Sequence, residues 1–419
     1  MKSRDRVACS VSHREPDRVP VDFGGMGCST MHASCIAALR EHYGLEKRPV
    51  KVLDPFMMIG LIEEDLQDAL KVDTTGVGSP YTVFGYRNED WKPWQLPDGT
   101  DVLVGGGFAV TGDGKGGLYI HPKGDVTAPP SGHMPQDGFY FDLLSRQMEY
   151  EDDEFELADN LTEFTPYSKH LYHHYRQTAK AARETGRYVI AGFEGTALGD
   201  IVRVVEPWEA YPKGLRDMEE WLISISLRPD YIKSIFDYQV NMAIENLGRL
   251  DRETVESIDA IMICGTDFGM QTGLFYSLNS IKDVFMPYYK KLNAWIHQNL
   301  GWKTIKHSCG SNEPIIPLLI EAEFDCLNPV QCSAAGMDAA ELKRKYGRDI
   351  VFWGGGVDTQ QMLPFGTPEQ VRAQVLERME IFSKGGGFVF NAIHNVQPGS
   401  PVENLVAMFD AIAEFNGIR

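Results

Sequence analysis

Long apolar segments are missing from this sequence of 419 residues. No stretch approaches the roughly 20 apolar residues that a membrane-spanning helix needs, which argues against a membrane protein. The first 18 residues are charged throughout and contain no apolar core, so we expect no targeting segment and a cytoplasmic protein. The seven cysteines are an odd number and scattered, which argues against a disulfide framework and fits a reducing compartment.

Positive charge is also scarce. The chain has 40 Lys and Arg residues against 59 Asp and Glu residues, and its formal net charge is −19. Nucleic acids and anionic lipids both call for a basic surface, so neither is an expected partner. A composition of 43% hydrophobic and 24% charged residues is ordinary for a globular protein with a sizeable core.

Nucleotide-binding signatures and repeats are absent as well. The glycine-rich stretch 354–358 has neither the GxGxxG nor the Walker spacing, although its backbone N–H groups could cradle an anion. We find no internal repeat, low-complexity tract or long linker, and therefore predict a single domain over residues 1–419.

From residue 187 onward, short apolar runs alternate with long amphipathic stretches. This alternation predicts βαβ units around a parallel sheet. The predicted strands are 188–193, 260–264, 304–307, 326–330, 350–353 and 388–393, and the predicted helices are 231–250, 282–300, 313–323, 339–346 and 368–383. Two upstream candidates, 18–23 and 72–77, raise the count to eight strands, which favours an α/β fold of the (β/α)8 TIM-barrel type. A doubly wound open sheet is the alternative.

The segment from about 79 to 167 interrupts this rhythm and is rich in Gly, Pro, Asp and Trp. Its Pro-Asp-Gly turn at 97–99 lies between apolar runs and predicts a hairpin. We interpret the segment as an antiparallel β-rich insertion over the barrel mouth. Trp91 and Trp94 either contact an aromatic substrate or form the core of the insertion, and the core is the favoured interpretation.

Polar side chains follow nearly every predicted strand. In a barrel, the carboxyl ends of the strands face the active site, so this pattern favours an enzyme. The residues are Asp22, Glu194, Asp267, His307 with Cys309, Asn328 with Gln331, Asp358, and His394 with Asn395. We interpret Glu194 and Asp267 as proton donors or orienting groups, with helix capping as the alternative for Asp267. The predicted substrate contacts are Asn328, Gln331 and Asp358.

The tetrapeptide His-Ser-Cys-Gly at 307–310 is the sharpest local signal. Strand side chains alternate between faces, so His307 and Cys309 share one face, about 7 Å apart along the strand, and can converge on one ion. An imidazole and a thiolate suit zinc, and a catalytic zinc keeps three protein ligands and one open position. His394 is the first candidate for the third ligand, Glu194 the second, and a cysteine such as Cys326 or Cys332 beside the next strand a further one. A core histidine beside a buried cysteine is the alternative.

Taken together, these motifs resemble those of the uroporphyrinogen decarboxylase superfamily. The likeness covers nearly the full chain, with 79–167 as the least typical part, and it implies a (β/α)8 barrel whose site lies at the C-terminal mouth. The matching motifs are residues 14–21 (REPDRVPV), 307–310 (HSCG), 354–358 (GGGVD) and 385–388 (GGGF), together with His394, Pro398, Pro401, Glu403 and Asn404.

The superfamily has two broad branches. Porphyrinogen decarboxylases need no metal and use an arginine-rich segment after the first strand to hold substrate carboxylates. The corresponding segment here, residues 24–30, reads GGMGCST and contains no arginine. Corrinoid-linked methyltransferases carry a His-x-Cys pair and a later Cys as zinc ligands. His307 and Cys309 match that pair, while His394 stands at the later position.

The resemblance therefore favours zinc-dependent transfer of a methyl group between a small O-, N- or S-methyl substrate and a corrinoid. The chain has no Asp-x-His-x-x-Gly motif, so we expect the corrinoid on a partner protein. Two alternatives stay open: a metal-assisted lyase, hydratase or decarboxylase acting on a small substrate such as an aromatic one, and a non-catalytic binding barrel. A homodimer is the default among oligomers.

Overall fold

The structure is a computed structural model that describes residues 1–148 and 155–418. Residues 149–154 of the predicted insertion lie outside the described part. The strands are β1 (Val50–Asp54), β2 (Ile59–Gly60), β3 (Thr74–Val77), β4 (Lys92–Gln95), β5 (Asp101–Val104), β6 (Val110–Gly112), β7 (Leu118–Ile120), β8 (Gly132–Met134), β9 (Asp142–Leu143), β10 (Tyr188–Gly192), β11 (Ala260–Cys264), β12 (Lys303–His307), β13 (Cys326–Asn328), β14 (Val351–Trp353) and β15 (Phe388–Val389).

The helices connect and surround these strands. They are α1 (Ser3–Val11), α2 (Ala33–His42), α3 (Glu64–Ala69), α4 (Lys169–Glu184), α5 (Ile201–Val204), α6 (Met218–Leu227), α7 (Pro229–Gly248), α8 (Arg252–Ser257), α9 (Leu278–Val284), α10 (Met286–Asn299), α11 (Ile316–Glu321), α12 (Ala339–Tyr346), α13 (Met362–Phe365), α14 (Pro368–Phe382) and α15 (Val402–Phe415). No helix in the described ranges combines the length and the apolar character needed to cross a membrane.

Seven parallel strands form the central sheet, in the order β15-β14-β13-β12-β11-β10-β3. The segment around Val21 bridges the two edges of this sheet. The Phe390 N–H donates to Pro20 O at 2.8 Å, and the Asp73 N–H donates to Val21 O at 2.8 Å. The predicted barrel is confirmed, but its first strand is shorter than 18–23, and Pro20 has no N–H to contribute to it.

Side chains alternate between the inside and the outside of the barrel. Tyr188 and Ile190 of β10 belong to an inner cluster, whereas Val189 and Ala191 pack in the larger core among the helices. Helix α1 contributes Val7 and Val11 to the inner cluster. The site at the opposite, carboxyl end of the strands therefore rests on a filled barrel interior.

Local signals explain where the helices begin and end. Helix α14 follows a capping box in which Thr367 accepts the Gln370 N–H and the Gln370 side chain accepts the Thr367 N–H. Helix α12 spans the predicted residues. The prediction of one helix over 282–300 is wrong, because the chain forms α9 and α10 with a break at Phe285. Pro287 has no N–H to continue a single helix through this point.

The predicted antiparallel insertion is confirmed in its described part. Strands β4 and β5 form the hairpin predicted at 97–99, and β6 to β9 form a four-stranded antiparallel sheet. The prediction missed β1 and β2, which precede residue 79 but join the hairpin, with Val50 of β1 opposite Val102 of β5 in parallel pairing. Residues 87–89 of this segment line a cavity at the carboxyl ends of β3 and β10.

Candidate metal centre and its surroundings

The three residues predicted to bind metal lie together at the barrel mouth. His307 ends β12, Cys309 follows two residues later, and His394 comes after β15. One ligand atom from each residue lies within 4.8 Å of the other two. In the described part of the chain, this is the one group of three or more His, Cys, Asp or Glu side chains compact enough to hold a metal ion. We call these three residues the three-residue centre.

The spacing of His307 Nε2 and Cys309 Sγ fits a tetrahedral zinc ion. Bond lengths of about 2.0–2.1 Å to nitrogen and 2.3 Å to sulfur would set those two atoms about 3.6 Å apart. Cys309 Sγ lies 3.5 Å from His307 Nε2. The rings of His307 and His394 are 5.3 Å apart and nearly perpendicular, at 70°. The donor set therefore suits zinc, and His307 and Cys309 can share one ion without rearrangement of the strand end.

Strand alternation explains why His307 and Cys309 converge. Ile305 lies in the inner cluster, and His307 is two residues further along the same face. Ser308 has different partners, because its hydroxyl accepts the Phe268 N–H at 2.9 Å and donates to Asn312 Oδ1 at 3.2 Å. The structure therefore has the predicted alternation, in which His307 and Cys309 share one face of the strand and Ser308 points the other way.

Asn328 determines which nitrogen of His307 is free. Its Oδ1 lies 2.7 Å from His307 Nδ1, and its Nδ2 donates to Trp353 O at 3.0 Å. The second bond orients the amide so that its oxygen faces the histidine, which makes Nδ1 the protonated nitrogen. The lone pair is then on Nε2, beside Cys309 Sγ, as metal-binding histidines require. Asn328 therefore positions a candidate ligand, and the substrate contact that the sequence predicts for it stays a prediction.

Burial shifts the protonation of all three candidate ligands. It lowers the pKa of His307 to about 4 and that of His394 to about 4, with the neighbouring His307 ring adding to the latter shift. Burial also raises the pKa of the Cys309 thiol well above its usual range, with a further contribution from Asp267. In the metal-free protein at neutral pH, the centre holds two neutral imidazoles and a protonated thiol.

Two other predicted site residues accept hydrogen bonds from the backbone of the turn that carries Cys309. Asp267 Oδ1 accepts the Cys309 N–H at 2.7 Å, and Gln331 Oε1 accepts the Gly310 N–H at 2.7 Å. Helix α9 is capped by Ser277, so Asp267 does not serve as its N-cap. Asp267 and Gln331 therefore support the strand end that carries two of the candidate ligands, and the substrate contact predicted for Gln331 stays a prediction.

Glu194 and Asp358 lie apart from the three-residue centre. Glu194 follows β10, and its carboxylate accepts a hydrogen bond from the Ser79 hydroxyl. Asp358 Oδ1 accepts the N–H groups of Gln360 and Gln361, both at 2.7 Å, in the turn before α13. Of the two proposed third ligands, His394 and not Glu194 belongs to the compact group.

The sequence prediction missed Cys28, which lies beside the centre. Its Sγ donates to Asn328 Oδ1 at 3.3 Å and lies 3.7 Å from Met262 Sδ. Burial raises the pKa of this thiol. Cys28 belongs to the glycine-rich loop 24–30 that follows the first barrel strand, so the same rule that singled out the other strand ends points to it.

A cavity of about 520 Å³ opens next to Cys28. Its walls include Met262, the loop 24–27, the ends of β3 and β10, and residues 87–89 with Trp91 from the insertion. Asp54, at the end of β1, lines it too, and burial raises the pKa of this carboxyl group to about 6. This cavity is large enough for a small organic molecule.

The two tryptophans of the insertion have different surroundings. Trp91 lines the 520 Å³ cavity. The ring of Trp94 packs against Phe108 with the centroids 5.1 Å apart, as a core residue of the insertion. The core interpretation is therefore confirmed for Trp94, while Trp91 is available for ligand contact.

The family model for uroporphyrinogen decarboxylase (URO-D) matches residues 159–415. The chain belongs to this family. The uroporphyrinogen decarboxylase of Pseudoalteromonas translucida is 35% identical over 89 residues, which are 20% of this chain and 24% of that protein. That of Coxiella burnetii is 29% identical over 89 residues, with the same shares of both chains. The matched stretch thus spans about a quarter of these curated members of the family.

A solved structure extends the likeness in fold over the whole chain. A methyltransferase from Methanosarcina mazei superposes with a TM-score of 0.55, at 15% sequence identity, covering 99% of this chain and 99% of that one. At this identity the superposition speaks for the fold, which agrees with the predicted barrel. The family predicted from the sequence motifs is confirmed.

Proposed function

We propose that this protein is a zinc-dependent methyltransferase that moves a methyl group between a small methylated substrate and a corrinoid on a partner protein. The three-residue centre carries the proposal, because its donor atoms suit a zinc ion, with His307 Nε2 and Cys309 Sγ 3.5 Å apart and all three atoms within 4.8 Å of one another. The family and the structural neighbour both bear the names of enzymes, which supports catalysis, and the neighbour is named a methyltransferase.

The zinc ion would act as a Lewis acid. It would polarise the heteroatom next to the methyl group or lower the pKa of a thiol acceptor. The chain itself supplies orientation. Asn328 keeps the Nε2 lone pair of His307 toward Cys309, and Asp267 holds the Cys309 backbone. The 520 Å³ cavity would bind the methylated substrate next to Cys28 and Met262.

Methyl transfer also needs a group that supplies a proton to the demethylated atom. When a methyl group leaves an oxygen, nitrogen or sulfur atom as a cation equivalent, that atom keeps the electron pair and takes up a proton. Asp54 lines the cavity, and its pKa of about 6 allows it to carry a proton near neutral pH. It joins Asp267 and Glu194 as a candidate donor.

The first experiment measures metal and methyl transfer together. We expect purified protein to contain about one zinc ion per chain by elemental analysis. Incubated with a methylated corrinoid protein and a thiol, or with the reduced corrinoid protein and methylated donors, it should exchange the methyl group, followed by the corrinoid absorbance. Protein that carries no zinc and never exchanges a methyl group would sink the proposal.

Decarboxylation is the second candidate function, because the family model and the curated relatives are named for it. The loop 24–30 has no arginine to hold a multiply carboxylated tetrapyrrole, which disfavours that particular substrate. Turnover of a carboxylic acid with release of carbon dioxide in a mixture free of corrinoid would favour this candidate over methyl transfer.

Zinc affinity should rise with pH. The pKa values of about 4 keep His307 and His394 neutral above about pH 5, whereas the raised pKa of Cys309 keeps its thiol protonated. Binding therefore displaces one proton, from Cys309. We expect the logarithm of the apparent association constant to rise by about one per pH unit between about pH 6 and 8, measured by competition with a chelator. A slope of two or more would contradict this protonation scheme.

A further inference from the structure

A smaller cavity lies beside the barrel mouth, outside the three-residue centre. Its volume is about 250 Å³, and it lies between the loop after β10, helix α5 and the insertion. Arg203 of α5 and Trp208 form part of its wall, and Glu194 forms another part. Cavities for drug-sized ligands measure roughly 300–1,000 Å³, so this one suits a small ligand or one end of a larger ligand.

Arg203 is the cation of this cavity that forms no ion pair with a carboxylate of the described chain, although the charges of Asp54, Glu163 and Asp200 act on it at longer range. The second cation, Lys123, forms an ion pair with Glu209 at 2.6 Å. The guanidinium of Arg203 lies over the ring of Trp208, with its central carbon 4.9 Å from the ring centroid. A guanidinium stacked in this way keeps the N–H donors along its edge available for a planar acceptor.

The acidic side chains of the same wall already have partners. Glu163 Oε2 lies 3.0 Å from Arg216 Nη1, so its charge is compensated. The carboxylate of Glu194 accepts the Ser79 hydroxyl. Neither carboxylate lies within ion-pairing distance of Arg203, so the N–H donors of the Arg203 guanidinium are available to a ligand.

Asp200 relates this cavity to the loop that supports the three-residue centre. Asp200 precedes α5, one helical turn (about 5 Å) before Arg203. Its Oδ2 lies 2.7 Å from the point where a Cβ on Gly265 would stand. Two residues after Gly265, Asp267 accepts the Cys309 N–H. The loop that supports Cys309 therefore lies close to Asp200, which is one helical turn from Arg203.

We propose that Arg203 and Trp208 form a binding site for the carboxylate group of a small ligand. Arginine and carboxylate pair through two parallel hydrogen bonds, which anchors and orients the acid. The inference rests on the proposed function, since it names the substrate class: the methylated substrate is a small carboxylic acid whose carboxylate lies in this cavity and whose methyl-bearing end lies in the neighbouring 520 Å³ cavity, Tyr81 lining both.

Calorimetric titration with benzoate and with its neutral isostere benzamide tests this site. We expect benzoate to bind the intact protein and benzamide to bind at least about tenfold more weakly, because a hydrogen-bonded ion pair is lost. Arg203→Met should weaken benzoate binding to a similar extent, and Arg203→Lys, which keeps the charge but not the fork, by less. Lys123→Met is the matched control in the same cavity and should change the affinity little, since Lys123 is already paired.

The site is refuted if benzamide binds as tightly as benzoate, if Arg203→Met leaves the benzoate affinity unchanged, or if Lys123→Met weakens it as much. Preferential binding of inorganic phosphate over benzoate would also overturn the carboxylate assignment. Because titration needs no turnover, its result is separate from that of the methyl-transfer assay. Specific benzoate binding without methyl exchange would leave this site standing and remove the proposed function.

Discussion

His307→Ala and Cys309→Ala variants should each lose bound zinc and reduce methyl transfer by about a thousandfold or more, since the metal is asked to supply several kcal/mol of transition-state stabilisation. Each substitution removes one of three ligand atoms that lie within 4.8 Å of one another. The measurements are zinc content by elemental analysis and kcat/KM for methyl transfer. Both variants should keep the fold, because the barrel interior below the site is filled by other side chains.

Two substitutions elsewhere serve as controls for these variants. His173→Ala removes an exposed imidazole on α4, and Cys9→Ala removes a thiol of α1, at the other end of the barrel. Both should retain zinc and activity. If either control lost zinc as completely as His307→Ala, loss of the metal would reflect general destabilisation and the ligand assignment would fall.

The third ligand is the most informative member of the set. His394→Ala should release zinc, whereas His394→Cys, which restores the later cysteine expected of the corrinoid-linked branch, should keep it, since thiolates bind zinc at a similar distance. Full zinc retention by His394→Ala would mean that another group completes the site. Glu194→Ala would then be the next variant, although Glu194 is bonded to Ser79 and lies outside the compact group.

Periodicity and strand ends were sufficient to predict the barrel and the three residues that meet at its mouth. Each of these signals is local: alternation along β12 orients His307 and Cys309, and parallel strands bring His394 to the same end of the sheet. Prediction was less accurate where proline interrupts an element, as at Pro20 in the first strand and at Pro287 in the first turn of α10, just after the break from α9.

The contacts that the sequence did not reveal join distant segments. Asn328 became a support for His307 because its amide is held by Trp353 across the neighbouring strand, and no local pattern encodes that bond. Arg203 and Asp54 lie on a short helix and on a strand of a second sheet, outside the barrel strands whose ends were searched. Strand-end reasoning finds residues on the barrel and misses those that the surrounding elements add.

Gly310→Ala should lower the free energy of unfolding by about 3–5 kcal/mol and release zinc from the protein that still folds. Gly310 has φ +88°, a conformation that side chains disfavour. A Cβ at this position would lie 2.3 Å from the backbone carbon and oxygen of Gly269. The backbone must shift to relieve this overlap, and the residue that shifts with it is Cys309. Denaturant titration and elemental analysis measure the two effects.

Gly336→Ala separates the effect of the positive φ from the effect of the close approach of Gly269. Gly336 also has a positive φ, +75°, but a Cβ there would meet nothing within 4 Å. This control should lower the free energy of unfolding by only about 1 kcal/mol, because only the backbone conformation is disfavoured, and it should keep its zinc. Equal losses of stability in the two variants, or a Gly310→Ala protein with full zinc content, would show that the close approach of Gly269 does not hold Cys309 in place. A larger loss of stability in Gly310→Ala than in Gly336→Ala, together with loss of zinc, would show that the candidate metal centre depends on the packing of the loop after β11 against Gly310.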